Sequence, residues 1–352
     1  MSLTPILTLE TLRQYLYAAI QLEHATIPTY LTTLYSIHPG TNLDAVQVLR
    51  VVAVEEMLHM TLSANMLNAV GGKVDLTQPG FVPKFPTYLP NGETDFQVNL
   101  ERFSPSALAT FLQIERPDKP QGSSPRLVRR PSNRSHILPK HQSSEGEDLH
   151  FYSIGDFYHA IQLGLEHLCN ELGEEQVFSG DRSRQITPEY YYSGGGEINA
   201  VYDLATAKTA IRLISEQGEG YEGAILDFEN EMSHYYRFDQ LVKGRYYRAG
   251  DVRENPTGDP VNVNWQASYP IKTNARLSDY PEGSDLYHAA KEYNQIYKDF
   301  LASLTVAFDG RPDLFIPAVA GMFKIKEKTL QLIRNPMPGI EGLHAAPTFE
   351  VE

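Results

Sequence analysis

The chain has almost no cysteine. One thiol, Cys169, stands in 352 residues, so no internal disulfide can form and a reducing, cytoplasmic setting is expected. Basic charge is also scarce: 30 Lys and Arg face 44 Asp and Glu, a net charge of -14. Such a chain lacks the positive surface needed to neutralise phosphates, which argues against a nucleic-acid partner. The one basic cluster, Arg126, Arg129, Arg130 and Arg134, lies in a polar stretch and reads as a solvated loop. Long apolar runs are missing as well. None approaches the roughly 18 residues that span a bilayer, and the N-terminus has no basic segment followed by an apolar one, so neither a membrane nor secretion is signalled.

What the chain does have is helix periodicity. Residues 8–37 and 42–70 carry it on either side of Pro39-Gly40-Thr41-Asn42, strong turn chemistry, and together they predict a helical hairpin ending at Gly71-Gly72. A short helix is expected from Ser104, a good N-cap, to about Ile114. Residues 116–148, rich in Pro, Ser and charge, read as a mobile loop or lid within a broad insertion over about 73–200. Further helices are expected at 154–172, 201–217, 225–243, 284–307 and 312–334, the last two forming a C-terminal extension. Strand signals and repeats are lacking. The prediction is a single all-α domain over residues 1–352, a four-helix bundle made of 8–37, 42–70, 201–217 and 225–243 with extra C-terminal helices and long irregular loops.

Charge interrupts the apolar seams of these helices at particular places. On the second helix, positions 49, 52, 56, 59, 63, 66 and 70 read Leu, Val, Glu, His, Ser, Met, Val. Glu56 and His59 therefore share one inward face, because residues three apart are neighbours on a helix. On the first helix Glu23 interrupts the seam Leu12, Leu16, Ala19, Thr26, Tyr30 in the same way. Glu23 is 17 residues before Gly40, and the midpoint of Glu56 and His59 is about 17 after it, so the fold of the hairpin levels them.

Glu231 and His234 repeat the Glu-x-x-His spacing beside Phe228, Phe238 and Leu241. The same spacing at Glu147/His150 and Glu341/His344 falls in polar or Pro/Gly-rich surroundings and reads as surface. Bundles that hold two metal ions use one Glu from each of two helices and Glu-x-x-His from each of the other two. The fourth contribution is expected from "EQGEG", where Glu219 lies closer than Glu216 to the apolar face set by Leu204, Ala207, Ile211 and Ile214. A buried carboxylate is costly unless compensated, and a metal pair compensates all of them together. Carboxylates with imidazoles suit iron, with manganese a second possibility, better than thiolate-seeking ions. Pro28, one turn past Glu23, cannot donate to the carbonyl of His24 and predicts a kink or bulge there.

At these residues the chain resembles a known family, the ferritin-like di-iron domains of the iminophenylpyruvate dimer synthase type, related to a portion of the violacein-pathway enzyme. The matching stretches are "LEHATIPTYL" (22–31), "VEEMLHMTLSANMLNAVGG" (54–72), "FLQIERP" (111–117), "EQGEG" (216–220) and "HYYRF" (234–238). The resemblance implies metal ligands at Glu23, Glu56, His59, Glu231 and His234 with a carboxylate from "EQGEG", and an oxidative role. The function expected is oxygen-dependent oxidation or oxidative coupling of a small amino-acid-derived substrate, an imine or keto acid, at two iron ions. Iron storage and a helical interaction protein with a vestigial site are the alternatives. Arg237 or Arg245 would pair with a substrate carboxylate, and Tyr30, Tyr235 and Tyr236 stand beside the ligands.

Overall fold

The computed structural model describes residues 6–92, 95–117, 130–131, 147–148, 151–220 and 224–351. Helices α1 (Leu9–Ser36) and α2 (Leu43–Ala69) form the predicted hairpin, and Gly40 and Asn42 take the positive φ that its turn requires. Thr8 starts α1 by accepting a hydrogen bond from the Thr11 amide. Pro28 lies inside α1, which remains helical beyond it to Ser36.

Residues 18–34 of α1 and 58–70 at the end of α2 are buried without a break. A helix buried on all faces needs neighbours on all sides. On one side α4 (Ile154–Leu172) packs on α1, and α6 (Leu204–Glu219) packs on α2 and α4, completing a four-helix bundle. On the other side α8 (Asp285–Phe308), α9 (Phe315–Ala320) and α10 (Met322–Ile333) form the C-terminal layer, where α8 meets α2 and α10 meets α1. The one-turn α5 (Glu174–Val177) follows α4. Two short strands, β1 (Arg130–Pro131) and β2 (Glu147–Asp148), pair antiparallel.

Two sequence expectations need correction. The fourth bundle helix is 154–172, which the sequence reading assigned to an insertion, and not 225–243. The reason lies in α4 itself, where Phe157, Tyr158, Ile161, Leu165 and Leu168 make an apolar stripe that packs against α1 and α6. Residues 225–233, by contrast, do not continue a helix. The Asp227 carboxylate accepts from the Glu229 and Glu231 amides, and Asn230 has φ 63, so the chain turns. The last helix of this region, α7, is only His234–Lys243; it packs on α3 (Pro105–Ile114), α6 and α2. Residues 118–129 and 132–146 of the expected lid, and His150 with the side chain of Glu147, lie outside the described residues.

Candidate metal centre

Each acidic or imidazole side chain of the centre is delivered by a helix that the sequence specifies locally. Glu23 and Glu56 with His59 come from the middles of α1 and α2, as their seams require. α3 opens with Ser104, which accepts from the Ala107 amide, followed by Pro105, and ends with Glu115 at its C-cap. α7 opens at His234. Together these bring two groups into ligand range: Glu23, Glu56 and His59, and Glu56, Glu115 and His234. Glu56 belongs to both. All five side chains are buried, with at most 2% of each exposed.

The two imidazoles are turned the same way. His59 Nε2 is 2.8 Å from Gln217 Oε1, and the Gln217 amide is itself oriented because its Nε2 donates to the Gly195 carbonyl at 2.9 Å. His59 Nε2–H therefore donates, which leaves Nδ1 as the lone-pair nitrogen; it lies 3.6 Å from Glu23 Oε2 and 3.8 Å from Glu56 Oε1. His234 Nε2 is 2.9 Å from Glu55 Oε2. Its Nδ1 stands 3.0 Å from Glu56 Oε1 and 3.4 Å from Glu115 Oε2 without the alignment of a hydrogen bond. The rings are near parallel, with centroids 5.4 Å apart.

Hydroxyls hold the carboxylates. Tyr158 donates to Glu23 Oε1 at 2.5 Å and also meets Ser63 at 2.8 Å. Tyr30 donates to Glu115 Oε1, and Thr26 to Glu56 Oε2 at 2.7 Å. On the protein's groups alone, burial pushes Glu23 up to about 7. Burial, reinforced by Glu115, does the same to Glu56, also to about 7. Burial lowers His59; it would lower His234 too, but Glu115, Glu55 and Glu56 outweigh it and raise that imidazole. Carboxylates so far from their ordinary range are short of positive charge.

The donor set answers that shortage. Three buried carboxylates and two Nδ1 atoms, each imidazole backed through Nε2 by an acceptor, are what a pair of hard or borderline cations takes, and no thiolate is present. Iron or manganese fits these residues.

The remaining sequence candidates separate. α6 does run through Gly218, and Glu219 faces the cavity beside the centre with Glu23, Glu56, His59 and Glu115. Its Oε1 accepts from the Gly155 amide at 2.6 Å, and a Cβ at Gly155 would stand 2.7 Å from that carboxylate, so a larger residue there would push the Glu219 carboxylate aside. Glu216 instead accepts from Arg212 Nε at 2.6 Å. Glu231 is placed outside the cluster: its side chain is 57% exposed and paired with Arg237 at 2.9 Å. It precedes α7, so the three-residue spacing to His234 never becomes one helix face. Arg237 is held by Glu231, Glu55 and the Met232 carbonyl, and Arg245 by the Gly258 carbonyl. Tyr236 is buried against Tyr235 and Tyr247, away from the hydrogen-bonding roles that Tyr30 and Tyr158 take. His344 Nδ1 bonds the Ile333 carbonyl at 2.7 Å.

Sequence reasoning missed Glu115, Glu55 and Gln217. Glu115 carried a usable signal, since Leu108, Phe111 and Glu115 form an apolar seam interrupted by a carboxylate, as at Glu23. Glu55 and Gln217 gave none, because each matters only through the histidine it meets.

Comparison with known proteins agrees with this architecture. The family model described as Ferritin-like matches residues 16–243. Dichlorochromopyrrolate synthase of Lentzea aerocolonigenes is 28% identical over an alignment of 330 positions that covers 86% of this chain. The match spans only 29% of that protein's length. The crystal structure of a ferritin-like protein from Caulobacter vibrioides superposes with a TM-score of 0.63 over 97% of this chain and 99% of that one, at 24% identity.

Proposed function

The chain belongs to the ferritin-like family, and from that premise we propose that it is a dinuclear iron oxidoreductase that uses dioxygen to oxidise or couple a small amino-acid-derived substrate, an imine or keto acid. The observation that carries the proposal is the pair of Nδ1 atoms converging on Glu56, each fixed from behind by a different acceptor. Glu23, Glu56 and His59 would hold one metal ion, and Glu56, Glu115 and His234 the other, with Glu219 the further carboxylate within the same cavity. When bound, a pair of ferrous ions supplies electrons for dioxygen reduction that side chains cannot.

The protein's own groups shape the rest. Tyr158 and Tyr30 donate hydrogen bonds to Glu23 and Glu115, which limits how far those carboxylates can swing and leaves their second oxygens facing the two Nδ1 atoms. The cavity beside the centre, about 10 Å³, is walled away from the ligands by Ile154, Gly155, Ile214, Ser215 and Gly218; it has room for about one water-sized molecule, so an organic substrate would need these walls to move. Storage needs only iron and oxygen. The synthase name of the relative that matches 86% of the chain favours a biosynthetic reaction instead.

The test is single-turnover oxidation after anaerobic loading with ferrous iron. The expected result is about two iron per chain, oxygen consumption, and a change in its rate with particular amino or keto acids. A mineral core built by repeated iron additions, with no organic compound altering the kinetics, would replace this reading with storage.

A further inference from the structure

Behind the hairpin, on the side away from the metal centre, a cavity of about 30 Å³ lies between α1, α2 and the C-terminal layer. Its hairpin wall is made by the sequence neighbours of the ligands: His24 follows Glu23, Met57 follows Glu56, and Met60 follows His59. The opposite wall is Leu301, Leu304 and Met322 with their neighbours. We propose that this cavity is a second site, a non-covalent binding place for dioxygen at the back of the metal centre; the proposal rests on the oxygen-dependent reading above.

Size and polarity select the occupant. The cavity exceeds the ~10–15 Å³ that one water needs and falls well short of the ~150 Å³ that admits benzene. A buried water makes about three hydrogen bonds. The lining offers few of them: the Thr61 proton goes to the Met57 carbonyl at 2.7 Å, and His24 Nε2 and the Tyr297 hydroxyl bond each other at 2.8 Å, so those groups keep mainly lone pairs. His24 Nδ1 and the Tyr192 hydroxyl are the lining atoms left without a partner, too few for a well-bound water. Apolar cavities of this kind stay dry and take up gases. The thioethers of Met57, Met60 and Met322 are polarisable and turn easily, so this wall can yield to a diatomic molecule.

Xenon is the probe. Crystals of the full chain pressurised with xenon should show one atom among His24, Met60 and Leu304; no xenon there, or ordered water in its place, would overturn the proposal. Leu304→Phe fills the cavity, and Val319→Phe blocks it from the partly buried rim should the first variant fail to fold. Either variant should lose the xenon, keep the wild-type iron stoichiometry, and react with dioxygen more slowly, by about tenfold, since association slows when access needs rearrangement. An unchanged rate in a variant that has lost the xenon would overturn the oxygen role. Xenon bound in a wild-type chain that neither takes up iron nor consumes oxygen would instead overturn the functional reading, and the oxygen role with it.

Discussion

The half of the centre around His59 stands on the middles of long helices, whereas the half around His234 stands on helix ends. Glu23, Glu56 and His59 each lie several turns from any terminus, with main-chain hydrogen bonds on both sides. Glu115 is the C-cap of α3 and His234 the first residue of α7, each fixed on one side only by its helix. The second half is instead held by side chains, Tyr30 on Glu115 and Glu55 on His234. Helix middles are the more rigid support, and helix ends need second partners to reach the same precision.

The strongest way to break this comparison is at the shared residue. Glu56→Ala should abolish binding in both halves and take iron from about two per chain to none. Glu115→Ala should lose only the His234 half, while Glu231→Ala, its sequence rival, should leave the stoichiometry unchanged. Iron titration of the three variants decides the matter, and loss of iron in the Glu231 variant would restore the sequence reading.

Next in size is pH. Glu23 and Glu56 are raised from 4.5 to about 7, so on the protein's groups alone the folded state holds protons that the unfolded state has released. Their contribution to stability is full below about 4.5 and is lost as pH rises to about 7. A cation must displace the same protons. Affinity for manganese(II) should therefore rise about tenfold per pH unit for each proton displaced up to about 7, and level off above it. Titrations at several pH values check the slope; a flat profile would contradict the assignment of these carboxylates.

Smaller effects sharpen the contrast between the halves. Removing the groups behind the imidazoles, by Gln217→Leu or Glu55→Leu, should weaken one metal each by about 10–100-fold. The Glu55 variant should be the worse of the two, because His234 has less helix to hold it. Of the same order are Tyr158→Phe and Tyr30→Phe, which each remove one hydrogen bond to a carboxylate, about 1.5–3 kcal/mol. Thermal unfolding with and without manganese separates the stability part from the binding part.

The same contrast explains what could be read without coordinates. Glu23, Glu56 and His59 were legible because a helix middle converts spacing into a face, and the hairpin turn at Gly40 sets the level of one helix against the other. His234 was found by its spacing to Glu231, although the structure gives that spacing no helix to act on. The Asp227 turn ends the pattern there, and the competing signal was local side-chain bonding, which periodicity does not weigh. α4 was read as a helix but not as a bundle member, since an amphipathic stripe says that a face is buried and not against what.

By itself, then, the sequence determined most of the helices, residues 225–233 excepted, the all-α class and the carboxylates and imidazole at the middle of the hairpin, because these depend on interactions within about one or two turns. The tertiary structure decided which helix closes the bundle, that Glu115 and not Glu231 stands beside His234, and that Gln217 and Glu55 turn both Nδ1 atoms inward. Those outcomes join residues 56, 115, 217 and 234, far apart in the chain, and only packing in three dimensions selects among the partners that each could meet.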